Sequence, residues 1–513
     1  MASTTVSAAT DRTPLIPERP STNRRKYSDD TEDGLTSGKT QEDEPQFNIP
    51  GVTQADFVLI LTGLWSATFL GSLDGTIVAT LLTDIGSSFE KSNMASWLGT
   101  SYLLSVCCFT PIYGRLCDII GRRGAILLAL TLFGIGTIGC GIAPSMEALI
   151  GARAVAGAGG GAMMSVGSII VTDLVWRYVH IPMAKTDQSF RTKIGRIDFL
   201  GSVTLVSTVS CLLVSLTLKT SGDEELAWSD PIVWGLLVAS GVFGIAFVLV
   251  EKFVADEPIM PLRLVTQRTP AFVAISNFLV SVLAFSVLYN VPLWFSAVKR
   301  VSSSVSGSHL VPNSIALALG SVVAGAWMRH TGKYYWLTIS MAGSALLSMV
   351  VISTFTTKTP EWLLWMAIVP SGFGISGLVT STLIALIAVV KKEDIAVATG
   401  VSYMFRTTGQ VLGVSLSAAL TQSILTKKLL EGITGHHASE IITKIRHSTA
   451  YIDHLSPQNK EVAIASYTAA LRVVFICQIV IAGLALLAVA GITEVDLPDR
   501  AKPKPVNAEE EEV

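Results

Sequence analysis

The chain has 513 residues, 50% of them hydrophobic and only 15% charged, with a mean hydropathy of +0.54. A soluble protein of this composition would carry large apolar patches on its surface, so an ordinary soluble domain is excluded. A net charge of −2 excludes the basic surface that nucleic-acid binding requires.

Residues 1–55 are rich in Ser, Thr, Pro and charge and lack apolar periodicity, which predicts a disordered cytosolic tail. No basic segment followed by a short apolar run opens the chain, so no cleavable signal peptide is expected. Within the tail, Asp11-Arg12-Thr13-Pro14-Leu15-Ile16 fits the acidic dileucine pattern. Two adjacent aliphatic residues fill an apolar pocket on a sorting adaptor, while the acid meets a basic patch. Leu15 and Ile16 have no folding use in so polar a tail, and with Asp11 they read as a vacuolar sorting signal.

Twelve apolar segments follow, each near the ~20 residues that a bilayer crossing needs. They run over 57–82, 94–113, 125–143, 146–171, 199–218, 232–250, 271–295, 310–328, 335–355, 363–390, 401–425 and 469–492. This pattern predicts an all-α polytopic membrane protein embedded in the lipid bilayer. The short loops 114–124, 172–198, 251–270, 329–334 and 391–400 hold fifteen Lys and Arg, against five in the opposite short loops. The positive-inside rule then places both termini in the cytosol. The far-side loop 426–468 adds five more, but long loops follow the rule less strictly. The six cysteines lie in or at the ends of apolar segments without metal-ligand spacing. They read as free thiols packing as small hydrophobes, and neither a metal nor a cofactor is expected.

Between the second and third segments lies Gly114-Arg115-Leu116-Cys117-Asp118-Ile119-Ile120-Gly121-Arg122-Arg123. The glycines permit a tight turn, Arg115, Arg122 and Arg123 hold the loop in the cytosol, and Asp118 gives them an internal partner, so the loop can latch and unlatch two helix ends. Gly325-xxx-Arg329-xx-Gly332-Lys333 echoes its spacing after the second helix of a bundle that starts near Ala271. Parallel repeats of this kind build two facing halves.

Two charges sit inside apolar runs. Asp74 lies in the first span, and Arg153 in the fourth. A charge in hydrocarbon costs ~2.5–3.5 kcal/mol on insertion scales and is rarely idle. Counted from their lumenal span ends at 1.5 Å per residue, both lie ~10 Å deep, so they can pair across the first bundle. Gly157, Gly159, Gly160 and Gly161 suit close helix packing. Arg406 and Gln410, one turn apart near the cytosolic end of the eleventh span, are candidate pocket residues, with snorkelling of Arg406 to the interface as the alternative.

The loop with Gly114, Asp118, Gly121, Arg122 and Arg123 resembles motif A of the major facilitator superfamily. Ala152-Arg153-Ala154-Val155-Ala156-Gly157 is similar to motif B, with Ala156 at the family's usual Gln. Together with Leu73-Asp74-Gly75-Thr76-Ile77-Val78-Ala79 and the dileucine tail, these stretches resemble fungal vacuolar basic amino acid transporters of the fourteen-span drug:H⁺ antiporter branch. The resemblance implies a two-bundle fold, monomeric, that moves a small-molecule substrate (lysine, arginine or histidine) into the vacuole in exchange for protons. Asp74 and Arg153 are then the proton-coupling residues. A plasma-membrane multidrug or toxin efflux pump shares the same motifs, and a non-transporting truncated isoform or nutrient receptor is a third reading. No Ser/His/Asp grouping, metal cluster or phosphate loop supports an enzyme.

The same resemblance exposes a gap. Gly195-Arg196-Ile197-Asp198-Phe199-Leu200-Gly201 resembles the entry to the seventh helix of the fourteen-span branch, yet a fifth helix with a G-P-x-x-G-G core is absent. The chain passes from Val175 directly to Trp176, as if helices five and six were deleted; an ordinary twelve-span chain with a divergent fifth helix is the alternative. The expected layout is a truncated first bundle over 56–175, linker spans over 176–270, a second bundle over 271–492 and an acidic cytosolic tail over 493–513. Asp74, Arg153 and the small-residue face are then expected to meet lipid or to be covered imperfectly by the linker spans.

Overall fold

The structure, a computed structural model, describes residues 54–91, 94–178, 198–221, 230–255, 260–391, 394–434 and 438–495, and no strand occurs among them. The principal helices are α1 (Gln54–Ser88), α2 (Ser96–Ile142), α3 (Met146–Tyr178), α4 (Phe199–Ser221), α5 (Pro231–Phe253) and α6 (Arg268–Trp294), which continues into a π turn, Phe295–Lys299. They are followed by α7 (Val311–Thr331), α8 (Tyr335–Ser353), α9 (Val369–Val389), α10 (Ile395–Gly432), α11 (Ala438–His447) and α12 (Pro457–Ala490). Among the described residues, nine helical stretches are long and apolar enough to cross a membrane. The three further expected spans are helical as well: the first limb of α2, α4 with its apolar stretch Leu200–Leu216, and α10, whose apolar residues are interleaved with Ser, Thr, Gly and Gln.

The basic segment 114–124 is not the loop expected of it. Helix α2 runs through it, and only Gly121 leaves helical geometry, at φ 78° and ψ 159°. Polar residues beyond the apolar core continue the helical turns because water and headgroups satisfy their side chains; the reversal is then concentrated in one residue that tolerates positive φ. Arg122 and Arg123 are exposed there. Gly332 caps α7 at φ 68°. Gly121 and Gly332 are the two positive-φ glycines among the described residues, and they hold matching places in the two sequence repeats.

Helix α3 lies against both limbs of α2. A Cβ on Gly157 would fall 2.2 Å from the Tyr102 carbonyl oxygen, and one on Gly159 would fall 2.3 Å from the Phe133 nitrogen. Gly160 and Gly161 are likewise buried against Tyr102 and Val106. These glycines are therefore covered by α2, and not left to lipid or to the linker helices as expected. Helices α4 and α5 pair with each other, and α4 leans on α10 and α2. In the second half, α6 packs on α10 and α12, α7 on α9, and α8 on α9 and α12. Its core is built around Trp294, Phe295, Met349 and Phe475. Contacts of α2 with α10 join the halves. Helix α1 stands apart, with 11% of its most apolar window buried against 61% for α3.

The α2–α3 approach makes a direct prediction. In Gly159→Ala the new methyl meets backbone, at Phe133 N and at Ala129 O 2.5 Å away, which no side-chain rotation relieves. Overpacking of this kind costs about 1–3 kcal/mol. Purified Gly159→Ala is expected to melt several degrees below the parent chain, whereas Gly151→Ala, with open space around its Cα, melts unchanged. Equal melting of both variants would contradict the close approach.

Candidate functional site

The structure brings Asp74 of α1 and Arg153 of α3 together. Arg153 Nη1 donates to Asp74 Oδ2 at 2.6 Å, and the guanidinium is almost fully buried, its residue 2% exposed. Its Nε donates to the Leu98 carbonyl of α2 at 3.2 Å, and its plane lies 4.3 Å from the centroid of the Tyr102 ring. Nη2 is buried and has no hydrogen-bond partner among the described residues. In a low-dielectric interior such a cation depends on its carboxylate, because removal of one partner leaves the other charged and uncompensated. Beside the Leu98 carbonyl and the Tyr102 ring face, Asp74 is the carboxylate that answers the charge of Arg153.

The second half reaches this site through Tyr289 of α6. Its hydroxyl sits over Gly99, where a Cβ would lie 2.3 Å from it, one residue beyond the Leu98 carbonyl that holds Arg153. Tyr289 also lines a small cavity between α1, the start of α2, α6, α10, α11 and α12. The polar lining includes Thr83, Asn290, Ser417, Thr421, Gln422 and Arg446. Asn290 Nδ2 donates to Ser417 Oγ at 2.8 Å, and Thr421 Oγ1 donates to Asn290 Oδ1 at 3.4 Å. Gln422 Oε1 is buried and receives no hydrogen bond among the described residues.

Arg406 and Gln410, both half-buried, do not belong to this lining. The Arg406 guanidinium lies 5.7 Å from the Tyr403 ring centroid, on its own helix. Gly114, Arg115 and Asp118 lie on the continuous helical backbone of α2, but their side chains fall outside the described ones. Asp11, Leu15 and Ile16 lie outside the described residues altogether. Among the described residues no group of three or more His, Cys, Asp or Glu is placed to hold a metal ion. Sequence reasoning missed Tyr102, Tyr289 and Arg446. The first two look like any aromatic residue in an apolar run, and Arg446 like any cation in a polar loop. Asn290 was the accessible signal, an amide inside an apolar span.

Comparisons with known proteins place this geometry. The family model described as Major Facilitator Superfamily matches residues 64–178, ending at the last residue of α3. The multidrug resistance protein fnx1 of Schizosaccharomyces pombe is 34% identical over 480 aligned positions, covering 82% of this chain and 90% of that protein. The vacuolar membrane amino acid uptake transporter fnx2 of the same yeast is 31% identical over 455 positions, covering 78% of each. The coverage contains a deficit. Since 82% of 513 residues is about 421, about 59 of the 480 aligned positions with fnx1 face a gap in this chain. The same arithmetic with fnx2, 455 positions against about 400 residues, leaves about 55. A bacterial homologue of the human lysosomal transporter Spinster, solved inward-facing and unoccupied, matches the fold with a TM-score of 0.57 at 15% identity, over 86% of this chain and 98% of that one. With more than 30% identity across most of its length to such relatives, the chain belongs to the Major Facilitator Superfamily and is a multi-pass membrane transporter of that family.

Proposed function

We propose that the chain derives from a proton-coupled vacuolar transporter that moves basic amino acids from cytosol to vacuole by H⁺ antiport, and that it has lost helices five and six. The observation that supports proton coupling is the buried Arg153–Asp74 pair at 2.6 Å, in which a proton on Asp74 would remove the charge that answers Arg153. The amino acid substrate draws support from the likeness to fnx2, and the vacuole from that likeness and from Asp11, Leu15 and Ile16 in the tail. Multidrug efflux is the second reading, favoured by the 34% identity to fnx1. In either case Gly114, Arg115, Asp118, Gly121, Arg122 and Arg123 act as the cytosolic gating hinge, with its turn at Gly121.

The lost helices draw support from two observations. The deficit of about 59 aligned positions with fnx1 leaves room for two membrane spans of ~20 residues each with their loops. Helix α1 also lacks the protein cover that its neighbour α3 enjoys. The 513-residue form is expected to be inactive in transport. A version with roughly 60–70 residues restored after Val175 should show pH-dependent lysine and arginine uptake into energised vacuolar vesicles at matched expression. Robust uptake by the shorter form would remove the deletion from the account.

In the active form, Asp74→Asn should abolish pH-driven uptake per molecule of expressed protein; unchanged uptake per molecule would remove Asp74 from the mechanism. Breaking a buried pair costs about 3–5 kcal/mol, so Arg153→Ala should reduce expression sharply. The double variant should be less damaged than additivity requires, since each change removes what the other left unpaired. Plain additivity would show that the pair does not operate in the membrane.

Sorting has its own test. Leu15→Ala with Ile16→Ala should shift a tagged protein from the vacuolar rim to the cell surface. Retention on the vacuole would mean that the signal lies elsewhere.

A further inference from the structure

One wall of the cavity comes from outside the spans. Helix α11 and the 3₁₀ turn Thr449–His454 belong to the long connection before α12, and they bring Arg446 and Thr449 into the lining. Residues Ile442, Ile445 and Arg446 form the buried face of α11. Ile442 and Ile445 join the same core as Leu429, Ile433 and Tyr467.

The segment is firmly held. Tyr467 Oη donates to the Ile445 carbonyl at 3.3 Å, and Arg300 Nη1 donates to the Thr449 carbonyl at 2.8 Å. Asp453 accepts from Arg300 Nη2 and from Lys460 Nζ at 2.9 Å. These hydrogen bonds, that of Arg300 first, hold the Asp453 carboxyl below its ordinary range. A depressed carboxyl pKa contributes stability above the ordinary carboxylate value and loses it only as the pH falls through the depressed one. A mildly acidic lumen therefore leaves this tie in place.

Arg446 is 8% exposed and is the one charged side chain among the described residues that line the cavity. A guanidinium presents a planar fork of N–H donors that matches a carboxylate. In the same cavity, the buried Gln422 Oε1 is an acceptor with no donor among the described residues, beside the hydroxyl of Thr421 and the amide of Asn290.

We propose that Arg446 holds the carboxylate of the transported solute and that Gln422 Oε1 receives its ammonium, so that the cavity takes an α-amino acid. The proposal rests on the amino acid reading above and adds to it a residue from an extramembrane segment. Every wall of the cavity comes from helices that the chain retains, so binding does not depend on helices five and six.

The test is equilibrium binding to the purified full-length chain in lipid nanodiscs, with L-lysine, lysine methyl ester and cadaverine (lysine without its carboxylate). Arg446→Gln should weaken lysine binding about 30-fold or more, the size expected when one partner of a buried charged contact is removed. Arg446→Lys, which keeps the charge but not the fork, should fall between the parent and Arg446→Gln, and cadaverine should bind weakly whether or not position 446 is altered. Should Arg446→Gln prove unfolded, the unaltered chain still decides, because it must prefer lysine over its methyl ester. Equal binding of lysine and its ester, or no binding of any amino acid, overturns the proposal. Binding of glutamine or leucine in place of lysine, with the same dependence on Arg446, upholds the carboxylate anchor while retiring the basic side-chain preference.

Discussion

A guanidinium at membrane depth must be answered by a carboxylate, and in this chain Arg153 is answered by Asp74. The requirement fixes more than two side chains. The Leu98 carbonyl and the Tyr102 ring take up the remaining faces of the guanidinium, so α1, α2 and α3 are keyed to one another at a single depth. Gly157 and Gly159 let the α3 backbone close on α2 far enough for those contacts to form. Tyr289 then rests on Gly99 from the other half of the molecule. A charge whose burial is expensive thus determines the register of one bundle and the point at which the other bundle meets it.

Much of this was legible in the sequence, for physical reasons that can be named. Asp74 and Arg153 stood out because charges are rare in apolar runs, and their common depth followed from the fixed rise of a helix. The matching places of Gly121 and Gly332 followed from spacing alone, since a reversal into the left-handed region selects glycine at one particular step. What failed was the direction of the glycine face. Residues 157 and 161 lie on one side of a helix and 159 lies nearly opposite, by the 3.6-residue period. They therefore serve both limbs of α2, the first through Tyr102 and Val106, the second through Ala129 and Phe133. A single face waiting for a missing neighbour was the wrong picture.

The cavity was beyond sequence reasoning because its lining is assembled from six helices and a 3₁₀ turn spread along the chain. Asn290, Ser417 and Thr421 become neighbours only when α6 and α10 pack, and neither helix announces its inner face by periodicity when both sides are apolar. Arg446 lies in a segment whose charges resemble those of any solvated loop. Its burial depends on Ile442 and Ile445 docking into a core contributed by α10 and α12.

Helix α1 shows how a span tolerates sparse protein cover. Lipid covers its apolar face as well as another helix would, and its hydroxyls at Thr62, Ser66 and Thr68 bond to their own backbone one turn back. Hydrocarbon therefore imposes no large penalty on the uncovered side. The Asp74 ion pair and the contact of Thr83 Oγ1 with Ser296 at 3.5 Å keep the helix attached to both halves. Alternating access asks for more than attachment. One bundle must rock against the other as a unit around a central site, and α1, tied to α3 through Asp74 and to the second half through Thr83, is where such motion would pass from one half to the other.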